Sequence, residues 1–442
     1  MKRIIKIVLS LAALAAMGLF LFLPDSNPPD DGKIRLKYWM VSAMTELPFH
    51  VTEFNRTHQN VIVETTPLPW NEHEKKILTS VLSENPPDLV FLVTPVAKWA
   101  TRLALTPLDD LIKRDSFDST IFFRALWNEM RFKDNIYALP LYSNSYAFFY
   151  NKKLYREAGL DPEKPPRTWQ QVLEYSAKLT KRNSKGNFTQ MGFIPTYGNV
   201  QTSIIMAWEL GAQMLSRDGL KVNLTNQPTL DAFNWIENFY NQYLLKDVST
   251  FVAGFGFAEQ HGFISEKLAM MILDNSFPDQ IKHYNKNLEY GVADIPTFEG
   301  HQPVSSTGSW WFAIPRGAKN KEAAWQLMKF AVQKNIQLTE AERQRELLFP
   351  SNKYAANDPA FLALNPPNKI FVDLLEHSKT PAIVPLAHDV FWREYMGAQE
   401  KVIHKIQSPL AALEEAEKTI QMNLDEAIEY DNYVRSKVSL NR

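Results

Sequence analysis

Residues 89–93 read Leu-Val-Phe-Leu-Val, an unbroken apolar run that follows Asn85-Pro86-Pro87-Asp88. A short run of this kind, bounded by turn residues, is a strand covered on both faces, because a strand with one wet face alternates. Two earlier strands fit the same unit. Ile34-Arg35-Leu36-Lys37-Tyr38-Trp39-Met40 alternates apolar and charged residues at its start, and Val61-Ile62-Val63-Glu64 is a second strand. Helical patterns lie between them, over residues 46–58 and 70–83. In the second, Ile77, Leu78, Val81 and Leu82 form one apolar stripe, and Pro86 and Pro87 stop it. Strand, helix, strand, helix, strand at this pitch predicts an α/β unit around a mainly parallel sheet. Further along, residues 136–142 and 147–150 are strand-like on either side of Ser143-Asn144-Ser145, and a helix begins at Asn151. Thr168-Trp169-Gln170-Gln171 has the form of a capping box heading a helix to Thr180. Residues 203–211, 230–245 and 321–333 read as helices, and 268–273, 290–295 and 312–314 as strands. After Pro385 the pattern is helical nearly to the end, with Pro409 opening the last helix.

The 442 residues leave room for two or three compact units. A net charge of −1 argues against a basic nucleic-acid binder. With no cysteine there are no disulfides, Cys-held zinc, iron–sulfur clusters, thiol catalysis or lipidation of an N-terminal Cys. Lys2, Arg3 and Lys6 precede an uncharged, almost wholly apolar stretch over residues 7–23, and Pro24 with the polar run after it ends that stretch. This charged, apolar, polar order predicts a secretory signal or an uncleaved N-terminal anchor. Either places the residues from about 33 onward outside the cytoplasm. The nine histidines are scattered without an H-E-x-x-H pattern, no phosphate-binding loop occurs, and Gly254-Phe255-Gly256 lacks a third glycine at the right distance. Asp109-Asp110 reads as a helix cap.

Three groups of motifs carry more. The first runs from Pro69-Trp70-Asn71-Glu72 to Asn85-Pro86-Pro87-Asp88-Leu89-Val90. The second is Asn135-Ile136-Tyr137-Ala138-Leu139-Pro140, Tyr150-Asn151-Lys152-Lys153-Leu154, Ala158-Gly159-Leu160 and Pro165-Pro166-Arg167-Thr168-Trp169. The third is Gly308-Ser309-Trp310-Trp311-Phe312-Ala313-Ile314-Pro315 with Lys319-Asn320-Lys321-Glu322-Ala323-Ala324-Trp325. In this order and spacing the chain resembles the extracellular solute-binding proteins of sugar-type ABC importers, the maltose-binding-like family. The resemblance implies an α/β, two-lobed periplasmic-binding-protein fold, each lobe a mainly parallel sheet flanked by helices and linked by a hinge. Residues 1–24 would be the signal peptide or anchor, 25–32 a linker, 33–141 lobe 1, 142–305 lobe 2, 306–350 a return to lobe 1, and 351–442 helices packing on the lobes. It also implies a ligand between the lobes, closure about the hinge, and a closed state favoured because only there does the ligand touch both walls. The partners implied are a small carbohydrate or polyol and the permease subunits of the importer. No catalysis, cofactor, metal or nucleic acid is called for, and the protein is expected to be a periplasmic monomer. Two alternatives are a membrane-anchored carbohydrate sensor and a periplasmic glycosidase using carboxylates such as Glu209 and Asp274.

Sugars show apolar C–H faces and a rim of hydroxyls, so aromatic rings and small polar side chains grip them. Most of the 11 Trp, 16 Tyr and 27 Phe must fill cores, so position has to select among them. Trp39 to Ser42 at the end of the first strand, and Thr94 after the third, qualify because ligands gather at strand carboxyl ends in open α/β sheets. Asp88 reads as a structural turn or cap. The resemblance adds Trp70 beside a helix entry, Tyr142 and Asn144 at the crossing between lobes, and Tyr197 and Trp208 in a stretch where relatives place cleft aromatics. Asn144 falls where relatives use a carboxylate. Asp274-Asn275-Ser276 departs from the glycine-containing pattern of the family, so Asp274 replaces a lost aromatic as a candidate. Ser309, Trp310 and Trp311 complete the set. Two adjacent indoles entering a strand cannot share a face, so one is expected in the core and one in the cleft.

Overall fold

The computed structural model describes residues 32–41, 47–198, 201–343 and 349–440. The basic and apolar N-terminal segment, with its expected signal or anchor, and Ser42 lie outside the described residues. Strand β1 (Ile34–Val41), helix α1 (Phe49–Thr57), β2 (Val61–Leu68), α2 (His73–Leu82) and β3 (Leu89–Leu92) build the first layer. β1 pairs in parallel with both β2 and β3. All four residues of β3 are buried, as the unbroken apolar run requires. Short helices α3 (Val96–Ala100) and α4 (Arg124–Glu129) follow, and β4 (Leu139–Ser143) runs up to the hinge.

Only Asn144 and Ser145 separate β4 from β5 (Tyr146–Asn151), which belongs to a different sheet. Beyond it come α5 (Trp169–Leu179), α6 (Thr202–Glu209), β6 (Met270–Asp274), α7 (Phe277–Tyr284) and β7 (Tyr290–Ala293). β6 and β7 flank β5, and both pairings are antiparallel. The expectation of a mainly parallel sheet therefore fits β2-β1-β3 but is corrected here. β5 leads away from the crossing, and the strands beside it must carry the chain back, so they run the other way.

The short β8 (Ser305–Ser306) leads into β9 (Ser309–Ala313), which returns to the first sheet between β3 and β4, antiparallel to both. α8 (Lys321–Ala331) and α9 (Lys334–Arg343) cover that sheet, and β10 (Phe349–Pro350) pairs with β4 to complete the order β10-β4-β9-β3-β1-β2. Asp88 ties this layer together. It accepts from the Lys37 amide at 3.0 Å and from the Asn320 amide at 2.9 Å, a structural role at the head of β3. After residue 350 the chain first binds the first lobe, Ser351 donating to the Pro140 carbonyl, and then packs on the second, where Phe361, Phe371 and Phe149 share one core. β11 (Ser378–Lys379) pairs with β8, and helices α10 (His388–Ile403) and α11 (Pro409–Leu440) close the molecule. α10 and α11 pack their Phe391, Tyr395, Leu413, Ile420 and Leu424 into the second-lobe core. One core cluster belongs to the first lobe and one to the second, while a third joins Phe123, Leu126, Ala341 and Phe349 of the first lobe to Phe149 and Phe371. Among the described residues, no helix is long and apolar enough to cross a membrane.

Candidate functional site

Strand direction brings distant parts of the sequence to one edge. β1, β2 and β3 are parallel, β9 opposes β3 and β4 opposes β9, so β4 runs the same way as β3. The residues just after β2 and β3, the last residues of β4 and the first of β9 therefore meet at the carboxyl edge of the sheet, beside the crossing into the second lobe. Trp70, Thr94, Ser143, Asn144, Ser309 and Trp310 all lie there. In the second lobe Asp274 ends β6 directly opposite Tyr146, the first residue of β5, so it too borders the crossing.

A ladder of rings occupies this edge. Trp70 is 60% exposed, and its ring centre lies 5.8 Å from that of half-buried Trp310. Trp310 stacks on Phe91 at 5.5 Å, and Phe91 meets Tyr142 edge-on. The Trp70 turn is fixed from below by His73, whose Nδ1–H donates to the Trp70 carbonyl at 2.6 Å. An open concavity of about 620 Å³ lies against Trp70, His73, Glu74, Leu78 and Thr94. A second, of about 560 Å³, takes in Trp39, Lys75, Thr79 and Ser83. An exposed indole backed by stacked rings is a rigid apolar platform, the surface that the C–H face of a sugar matches.

The crossing is a dense polar knot. The Asn144 Oδ1 accepts from the Gly308 amide at 2.6 Å, and the Asn144 carbonyl accepts from the Thr307 hydroxyl at 2.6 Å. The Ser145 amide donates to Asn275 Oδ1 at 2.9 Å, and the Ser305 hydroxyl donates to the Tyr146 carbonyl at 2.8 Å. Glu129 reaches the same place, its Oε2 accepting from the Ser309 amide at 3.1 Å. Burial pushes the Glu129 carboxyl up to about 7, with Ser309 partly opposing it. Tyr146 is likewise pushed up to about 12 by burial and by the neighbouring Asp274.

Of the residues singled out from sequence, Trp70, Thr94 and Trp310 converge on the first concavity or its ring ladder, and Trp39 lines the second. Thr94 also holds the sheet edge. Its hydroxyl accepts from the Trp99 indole at 2.8 Å and its carbonyl from the Trp311 indole at 2.9 Å. Trp311 is fully buried, Tyr142 is 3% exposed and Trp208 is 6% exposed in the second-lobe core, so these three pack interiors. Asn144 spends its side-chain oxygen on Gly308, and Asp274 spends Oδ1 on the Ser276 amide and hydroxyl. Tyr197 packs against Phe255 and His261 and accepts from the Gly262 amide at 3.4 Å, away from the ring ladder. Sequence reading passed over Phe91, hidden inside a run that looks like pure core, and over Glu129, which ends a helix of no distinctive pattern. Glu209 accepts from the Trp169 indole at 3.0 Å and from the Phe298 amide, and Asp274 accepts from the Ser276 hydroxyl, so both carboxylates are engaged within the fold. Among the described residues no group of three or more His, Asp or Glu is placed to hold a metal ion.

Comparison with known proteins agrees with this architecture. The profile of the bacterial extracellular solute-binding family matches residues 39–337. A Brucella abortus (strain 2308) protein named only as a binding protein is 24% identical over 370 residues, covering 81% of this chain and 86% of its own length. The sn-glycerol-3-phosphate-binding periplasmic protein of the same strain is 25% identical over 300 residues, covering 64% of this chain and 65% of that protein. Among solved structures, CpMnBP1 with mannotriose bound superposes with a TM-score of 0.70 at 27% identity, over 88% of this chain and all of that one. The sugar-binding protein MalE of Xanthomonas citri shares the fold, with a TM-score of 0.74 at 20% identity over 89% of this chain and 98% of that one. Two lobes, a three-passage crossing and a family match over more than half its length establish that the chain belongs to the bacterial extracellular solute-binding proteins.

Proposed function

We propose that this protein binds a small carbohydrate between its lobes, closes around it and delivers it to the permease subunits of an ABC importer. The observation that carries the reading is the exposed Trp70 indole braced by Trp310 and Phe91 at the carboxyl edge of the first sheet. An indole backed by rings at a cleft edge is a ready stacking face. Similarity to CpMnBP1, solved with mannotriose bound, supports a sugar as the guest. The basic and apolar order of residues 2–23, together with a periplasmic relative, supports export across the inner membrane. The reading takes the protein as a carrier rather than an enzyme, in keeping with the solute-binding family to which it belongs.

A thermal-shift screen over neutral sugars, followed by titration calorimetry, tests this. A ligand at a hundredfold excess over its Kd stabilises the folded state by about 2.7 kcal/mol and is recovered chemically unchanged. Trp70→Ala is expected to weaken binding at least tenfold with an unaltered melting temperature, since the side chain stands mostly in solvent. Equal affinity with and without the Trp70 indole would remove the ring ladder from the site, and release of a cleaved product would reassign the protein as an enzyme.

A further inference from the structure

Glu74 stands on the first turn of α2, one residue beyond the His73 that fixes the Trp70 turn. It lines the same open concavity of about 620 Å³ as the exposed Trp70 indole. Its Oε1 accepts from the Lys98 ammonium at 2.9 Å, while Oε2 has no partner among the described residues. Lys98 comes from α3, whose other four residues are buried, so the stem of this side chain is held and its head points out of the lobe. Asp389, on α10 of the C-terminal part packed on the second lobe, takes the same ammonium at 3.3 Å. A row of charges, Glu74, Lys98 and Asp389, therefore starts beside the Trp70 platform and ends on the other lobe. Partly exposed ion pairs of this kind add little to stability, so their worth has to be sought in what they border.

A sugar ring that lays its C–H face on an indole turns its hydroxyls outward around the ring edge, toward the polar groups flanking the platform. Each hydroxyl gives one hydrogen bond and can take others, whereas a carboxylate only accepts and an ammonium only donates. The two side by side complete a pair of neighbouring hydroxyls, one donating to Glu74 and the other accepting from Lys98. Hydrogen bonds to charged groups are the stronger kind, and a head already held by Asp389 loses little freedom on meeting a guest. Glu74 and Lys98 together carry no net charge, which suits a neutral guest.

Resting on the carbohydrate reading above, we propose that Glu74 and Lys98 form the hydroxyl-reading subsite beside Trp70 and bind two adjacent hydroxyls of the sugar unit stacked on that indole. Asp389 is a positioning residue, which holds the ammonium from the second lobe. The ligand this subsite selects is a neutral sugar with a free vicinal diol on the stacked unit.

The test is titration calorimetry of the full chain with mannobiose, mannotriose, maltotetraose and tagatose. The parent is compared with Glu74→Gln, Lys98→Met, Asp389→Asn and Trp70→Ala, with circular dichroism and melting curves as controls for folding. For the tightest sugar, Glu74→Gln and Lys98→Met are each expected to lose about tenfold, as for one hydrogen bond to a charged group, and Asp389→Asn to change affinity less than either. Glu74→Gln is the decisive variant, since it leaves the Lys98 to Asp389 contact between the lobes in place. Sugar affinity within twofold of the parent in Glu74→Gln overturns the subsite, and if Trp70→Ala weakens binding in the same series the cleft reading stands. A loss in Lys98→Met that Asp389→Asn matches in full belongs to the contact between lobes and overturns the assignment of Lys98. Binding of none of the four sugars by the parent overturns the carbohydrate reading and the subsite together.

Discussion

Trp310 and Trp311 are neighbours in sequence and occupy opposite surroundings: Trp311 lies wholly inside the first lobe with its indole N–H on the Thr94 carbonyl, and Trp310 lies half out of it on Phe91. The alternation of a strand makes that division legible from sequence, but not which ring goes where, because the pairing of β9 with β4 slips between the two positions. Trp311→Ala is expected to cost about 3–5 kcal/mol, read by chemical unfolding, and Trp310→Ala clearly less. Asn144 shows the limit of reading single polar residues. Its type and place suit a sugar hydroxyl, yet the folded chain uses its oxygen to bind one passage to another. Asp88 is the reverse case, a carboxylate before a buried strand whose structural role is evident from position and is what the fold contains. Two glutamates make the stability pH-dependent. Glu129 and Glu209 both rise from 4.5 to about 7, chiefly through burial. A raised carboxyl binds its proton more tightly in the folded state, so the stability it contributes is complete below about pH 4.5 and is lost as the pH climbs through 7. Melting is therefore expected at a higher temperature at pH 5.5 than at pH 8. The combined effect is expected to be on the order of a few kcal/mol. Glu209→Gln should flatten the profile, and an unchanged slope in that variant would assign the effect elsewhere.

At the scale of elements, helix starts were the most legible feature. Thr168 caps α5 as its sequence suggests, accepting from the Gln171 amide at 3.2 Å. The Gln171 side chain, however, reaches the Arg167 amide rather than that of Thr168, so the box closes one residue early. Thr168→Ala is expected to lower stability by about 1 kcal/mol. Strand direction was not legible. β5 and β6 have the apolar runs of any buried strand and β7 is half-buried, and only the need to return to the crossing makes β6 and β7 antiparallel to β5. Close approach between elements was hidden too. A Cβ placed on Gly192 would come within 2.3 Å of the Ser176 Cα on α5, so Gly192→Ala must push the helix away. Overpacking of this kind costs about 1–3 kcal/mol, and a melting temperature equal to the parent's would show that the contact is looser than described.

Across the whole molecule, the motifs announced two lobes with C-terminal helices packing on them, but nothing local revealed which residues make those contacts. Lys98 on α3 of the first lobe binds Glu74 at 2.9 Å and Asp389 on α10 at 3.3 Å. Near the far end of α11, Asp431 is 1% exposed and pairs with Lys133 and Arg435, and the Arg435 guanidinium lies over Phe132 of the first-lobe core. Pairing between residues some 290 positions apart leaves no periodic trace in sequence. Asp389→Ala removes a contact that joins the lobes in this conformation, so the population shifts away from it. Ligand affinity should change about two- to fivefold, and less at high salt, as befits a partly exposed ion pair, a fall marking this conformation as the one the ligand favours and a rise as the one it leaves. Asp431→Ala strands two cations beside a buried position and is expected to cost about 3 kcal/mol of stability. Retention of full stability would show that α11 ends free of the first lobe.

The wet indole at position 70 carries an optical consequence. A tryptophan standing 60% in water emits at long wavelength, and one shut against a sugar and a facing wall emits at shorter wavelength. With Trp311, Trp325, Trp169 and Trp99 already sealed, the change in the protein's own light would come chiefly from the indoles at the cleft edge, Trp70 and its neighbour Trp310 foremost. Unlabelled protein in a stopped-flow cell could then report each capture as it happens.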